Sequence, residues 1–118
     1  MASAAIFVGW GSVIPGREAV ANQVFNEAVH FFAELQQRGE IESFEPLALE
    51  PHGGDLAGCM VIRGDREKLS KMRFTEEFQR IVARGQAVVL NFGVVDAHIG
   101  EDLQRYFEIN QQSASDLT

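Results

Sequence analysis

Residues 88–99 read VVLNFGVVDAHI, and the interpretation of this run decides the fold. Apolar side chains fall on both parities: Val88, Leu90, Phe92 and Val94 on one, Val89, Val95, Ala97 and Ile99 on the other. A strand with one wet face alternates apolar and polar residues. This run does not alternate until Asp96 and His98, which predicts one long strand covered on both faces. The chain's own helices can supply one cover. With only 118 residues available, the simplest second cover is another copy of the same chain, so a homodimer is expected, with Phe92 and Val94 at the contact.

Outward from that run, the chain resolves into further elements. Asp65 is placed to cap a helix starting at Arg66. Leu69 and Met72 do not share a stripe with Phe74, Phe78, Ile81 and Val82, so this helix should break near residues 73–75. Thr75 then caps the second piece, and Gly85 stops it. Residues 56–63 and 41–50 read as strands joined by Pro51-His52-Gly53-Gly54-Asp55, which makes a hairpin. Pro46 has no N–H to give a ladder, so an edge or a bulge is expected there. Residues 17–38 form the clearest helix, with Val20, Val24, Ala28, Phe31 and Leu35 at helical spacing and Asn22 and His30 on the polar side. Residues 4–12 read as the first strand: Ile6, Val8 and Trp10 on one face, Phe7, Gly9 and Gly11 on the other. Beyond Gly100, a short helix is expected over 101–109, then a loose tail over 110–118. The whole of 1–118 reads as a single domain with its ordered core in 4–109.

Composition narrows the function. Ten basic against seventeen acidic residues leave a formal charge of −7. Nucleic acid and anionic membrane both select for clustered Lys and Arg, so neither is an expected partner. Cys59 is the only cysteine, which excludes an internal disulfide and a cysteine-based zinc site. His30, His52 and His98 lack the spacing of a metal motif, and no glycine-rich turn opens a helix as a phosphate loop does. Neither a metal nor a cofactor is expected. The opening MASAAIFVGW lacks the charged start of a signal peptide, and no run approaches a membrane span, so a cytoplasmic location is expected.

The element order β-α-β-β-α-β, with a central hairpin and a trailing helix, is the split βαβ pattern of a ferredoxin-like α+β fold with an antiparallel sheet. Over residues 4–109 the chain resembles the dimeric α/β-barrel superfamily. That resemblance implies two sheets facing each other across a twofold axis and a ligand pocket between sheet and helices. It also implies relatives among cofactor-independent monooxygenases of the antibiotic-biosynthesis type, haem-degrading enzymes and small isomerases.

Several residues are candidates for chemistry, each with a plain structural alternative. Asp96 and His98 are two apart on a strand and so share a face; the carboxylate would orient the imidazole as a general base. The alternative is a strand end that turns polar at the solvent. His52, in the glycine-rich turn, either reaches over a pocket mouth or is an ordinary exposed hairpin residue. Trp10, Met60 and Phe92 line a pocket for a flat apolar ligand or are core. Asn91 interrupts an apolar face and is either a polar group of the pocket or a contact between copies. Cys59 reads as a buried, inert thiol. Two places for a pocket follow: one on the helix side near Phe7 and Phe25, one on the other face of the sheet, inside the dimeric barrel, near Trp10, Phe92 and His98. The expected arrangement is a pocket bordered by the first and last strands, with His98 at its polar end oriented by Asp96. The expected function is binding or transformation of a small apolar molecule, in the manner of a cofactor-independent monooxygenase or an isomerase. The alternative is a non-catalytic homodimer that binds a ligand or serves a structural role.

Overall fold

In chain order the elements are β1 (Ala4–Trp10), α1 (Glu18–Gln37), β2 (Ser43–Ala48), β3 (Gly58–Gly64), α2 (Arg66–Arg73), α3 (Glu76–Gln86), β4 (Gly93–Ala97) and α4 (Gly100–Ser115). They come from a computed structural model that describes residues 3–117; Met1, Ala2 and Thr118 lie outside it. The strands form one antiparallel sheet in the order β2-β3-β1-β4. This is the ferredoxin-like α+β arrangement read from the element order, and β2, with Pro46, is an edge strand as expected.

Strand register separates the two faces of the sheet. Ile6 pairs with Ile62, which pairs with Phe44; Val8 pairs with Met60 and Val94. These even-numbered residues point to the helix layer, where Phe32 and Leu35 of α1, Leu69 and Met72 of α2 and Phe78 of α3 close the core. Phe32 is 2% exposed, and its ring meets those of Phe31, Phe44 and Phe78. Burying a side chain of that size stabilises the fold by about 1.5–3 kcal/mol. The odd-numbered face points away from the helix layer and is partly open: Leu47 is 42% and Val95 55% exposed, Phe7 and Val61 are half-buried, and the smaller Ala5 and Cys59 are buried.

The second crossover breaks where the stripes disagree. Asp65 accepts from the backbone N–H of Lys68, and Thr75 Oγ1 accepts from that of Phe78 while donating to the Met72 carbonyl. Each new helix thus begins with one of its free N–H groups satisfied.

The long strand over 88–99 is not continuous. Asn91 has φ 55°, a left-handed conformation that its short polar side chain tolerates better than most. Before it, Gly11 N–H donates to the Leu90 carbonyl and Leu90 N–H to the Ser12 carbonyl, with Val89 bridged to Val13. Gly11 is required there, since a Cβ would stand 2.9 Å from the Leu90 oxygen. After it, the run resumes as β4. Alternation fails just before the interruption, where Val88 is buried but Leu90, of the same parity, is 49% exposed, while the pairing register with the first strand is the same on both sides of Asn91. Phe92 and Val94 pack toward the helix layer. They are therefore not the expected contact between copies; Val95 is on the open face instead.

Helix α4 also departs from the expected length, running past Ile109 to Ser115. No Gly or Pro follows Gly100, and Gln, Ala and Ser propagate a helix at little cost.

Candidate functional site

Helices α1 and α3 are tied by Arg84, whose guanidinium donates 2.8 Å hydrogen bonds to both carboxylate oxygens of Glu27. A two-point pair of this kind fixes orientation as well as distance. Between these helices and the sheet lies a cavity of about 240 Å³. Val8, Trp10 and Met60 form its floor, Phe25 and Phe32 one wall, Phe78 and Val82 another. Trp10 and Phe25 meet edge to face at 6.1 Å. Two glycines make room for the rings: a Cβ at Gly58 would stand 2.8 Å from the Trp10 indole, and one at Gly85 would stand 2.7 Å from Phe92. Apart from the indole N–H of Trp10, Asn22 supplies the only polar side chain of the lining. Among the described residues, no ionisable side chain lines the cavity.

Of the residues singled out in the sequence, this cavity brings together Trp10, Met60, Phe92 and Phe25. Phe7 is absent because its parity puts it on the open face, where its ring lies over Gly9. Gly9 thus makes room for Phe7, not for a ligand. Asn91 is exposed where the strand is interrupted and does not line the cavity. His52 is exposed, its Nε2 2.9 Å from the Leu56 carbonyl oxygen. Asn22, expected on the polar side of α1, lies at the mouth. Cys59 is buried, and burial, aided by Glu45, pushes its thiol pKa up, away from the reactive thiolate.

Asp96 and His98 lie elsewhere, in a groove of about 850 Å³ beside β4. They do not act on each other. Asp96 pairs with Arg73 at 3.0 Å. His98 Nδ1 is 2.7 Å from Asp102 Oδ2, and Arg66 holds the other Asp102 oxygen at 3.0 Å. Tyr106 stacks on the imidazole, with centroids 3.9 Å apart. The expectation of an Asp96–His98 couple fails because β4 ends at Ala97, so the two-residue repeat of a strand does not reach His98. The hydrogen bond from His98, with help from Arg66, holds the Asp102 carboxyl below the usual carboxylate range. Sequence reasoning missed Asp102, Tyr106, Arg66 and Arg73. The spacing 98, 102, 106 was the available signal, since residues four apart on a helix face meet.

Cavity and groove share a wall: Phe78, Val82, Phe92 and Val94 line both. Among the described residues, no group of three or more His, Cys, Asp or Glu is arranged to hold a metal ion, and no helix is long and apolar enough to cross a membrane.

No protein-family model matches the chain, and no curated protein sequence does. Solved structures do. A dimeric ferredoxin-like protein of unknown function from Jannaschia sp. CCS1 superposes with a TM-score of 0.63 at 14% identity, covering 81% of this chain and 99% of that one. A second dimeric protein of unknown function and ferredoxin-like fold, from Bacteroides fragilis, gives 0.58 at 12% identity over 82% and 97%. A point mutant of SnoaB, a cofactor-independent oxygenase from Streptomyces nogalater, gives 0.57 at 19% identity over 85% and 98%. The chain has the ferredoxin-like fold of these proteins, and at the level of fold the resemblance read from its element order holds.

Proposed function

We propose that the protein is a homodimer, paired through the open face of its sheet, that binds a small, flat, apolar molecule in the cavity between sheet and helices. The observation that carries this reading is the lining: aromatic and aliphatic side chains, one amide at the mouth, and no ionisable group. A dry apolar cavity of roughly 150 Å³ holds benzene. The larger space here, about 240 Å³, suits a molecule of one or two rings. Apolar walls supply affinity and the amide of Asn22 supplies orientation. Isomerisation by acid–base steps is disfavoured, because a general base has to stand within hydrogen-bond reach of the proton it takes.

A second reading is cofactor-independent oxygenation of the bound molecule. The likeness to the Streptomyces nogalater oxygenase favours it. Oxygen uptake that depends on both protein and ligand would support it.

Pairing through the sheet is supported by Leu47, Val61, Phe7 and Val95 on the open face, and by the dimeric state of two of the similar structures. Val95→Asp would put a charge into a dry contact and should give a monomer in light scattering. Ligand binding is tested by thermal melts with 2-naphthol. At 100 times its dissociation constant a ligand adds about 2.7 kcal/mol. The wild type should rise in Tm, and Ala28→Phe, which fills the cavity, should not. No rise, or an equal rise in both proteins, rejects the cavity as the site.

A further inference from the structure

Helix α4 carries an apolar stripe that, among the described residues, is covered only at its root, where Tyr106 stacks on His98. The helix is 16 residues long and buries none of them. Leu103, Tyr106 and Phe107 recur on one side and are 38%, 43% and 60% exposed. A one-sided helix of this kind owes its stability to a partner surface. Its root is fixed by the Asp102 contacts to His98 and Arg66 and by the stacking of Tyr106 on His98. The rest projects from the end of β4.

The groove beside β4 is the complementary feature. It lies along an edge strand, between that strand and α2 and α3, with Arg73 at its rim. Phe74 lines it and is 77% exposed.

We propose that α4 of a second copy lies in this groove, reciprocally in both protomers, and backs the wall of the ligand cavity. This rests on the homodimer of the preceding section. Area names the occupant. Four strands about 4.8 Å apart, rising about 3.4 Å per residue, offer a face of roughly 20 by 20 Å, about 400 Å². A standard stable interface takes about 800 Å² per partner. A helix about 24 Å long and about 10 Å across supplies about 240 Å² more when given and as much when received, which closes the gap. Continuity agrees: β4 borders both the open face and the groove, so a copy seated on one is next to the other. A twofold pair makes every arm given an arm received.

The shared wall gives this docking a consequence. Phe78, Val82, Phe92 and Val94 separate groove from cavity, and Phe92 is only half-buried. A helix in the groove removes water from the back of these side chains and holds Phe92 against Gly85. Ligand affinity therefore depends on dimerisation.

The test uses the full chain. Leu103→Glu with Phe107→Glu should raise the dimer dissociation constant by about tenfold or more and weaken 2-naphthol binding in parallel. A Phe74→Cys/Phe107→Cys protein treated with a short bis-maleimide should give covalent dimers. A covalently closed monomer would mean that α4 folds over its own groove, and absence of cross-linking would mean that the groove is not its site; either overturns the proposal. Unchanged dimerisation in the Glu variant would leave pairing through the sheet intact and remove α4 from it. A monomeric wild type would instead overturn the homodimer itself.

Discussion

Replacing Gly85 by alanine should destabilise the protein, against the usual rule for helices. Within a helix, Gly→Ala ordinarily gains about 0.5–1 kcal/mol from reduced chain entropy. Here the new methyl would stand 2.7 Å from Phe92 Cε2 and 3.1 Å from Cδ2 and Cζ. The ring has to move, and overpacking of this kind costs about 1–3 kcal/mol. Phe92 is half-buried, with the cavity on one side and the groove on the other, so it can yield in part and the cost falls near the middle of that range, about 2 kcal/mol. The net expectation is a loss of about 1 kcal/mol. Removing the ring reverses the sign. In a Phe92→Ala background the methyl has room, and Gly85→Ala should stabilise by about 0.5–1 kcal/mol. The coupling across the cycle is then about 2 kcal/mol, well within the range for residues in contact. Urea denaturation at fixed protein concentration measures all four proteins. Equal effects of Gly85→Ala in both backgrounds would refute the packing argument.

Thr75→Ala removes the cap on α3 and should cost about 1 kcal/mol in thermal melts. His30 is exposed on α1, so His30→Ala should change stability by less than about 0.5 kcal/mol. The Asp102 carboxyl is held below its ordinary value of 3.8, so its contribution is full above that value and is lost as pH falls through the lower folded one. Asp102→Asn should flatten this acid limb of the stability–pH curve, and an unchanged limb would contradict the ion pairs at the root of α4.

The parts of the fold legible in the sequence were those set by neighbours along the chain. The break at residues 73–75 followed from two stripes out of phase, and Thr75 and Asp65 mark caps by residue type alone. The hairpin followed from its turn cluster. The run 88–99 misled because Asn91, in a left-handed conformation, interrupts the strand inside it, although the residues on either side keep one antiparallel register with the first strand. Two-sided burial was the inferred reason for a partner copy. The open face does exist, but Val95 exposes it, not Phe92 or Val94. At the site, Trp10, Met60 and Phe92 come together because all three project to the helix side. Asp96 and His98 separate because β4 ends between them: Asp96 pairs with Arg73 from a distant segment, while His98 meets Asp102 four residues on. Arg73 and Arg66 are contributed by tertiary packing and leave no trace in local spacing, unlike Asp102 and Tyr106.

An apolar molecule bound in the proposed cavity lies against Trp10 and Phe25. Trp10 is the only tryptophan of the chain, so its indole N–H gives one isolated signal in a nitrogen–proton correlation spectrum. Titration with 2-naphthol should move that signal saturably, at one ligand per chain, with proton–proton contacts from the ligand to Phe25 and Met60. A Trp10 signal that stays fixed while only residues of the open sheet face or of α4 respond would contradict the account.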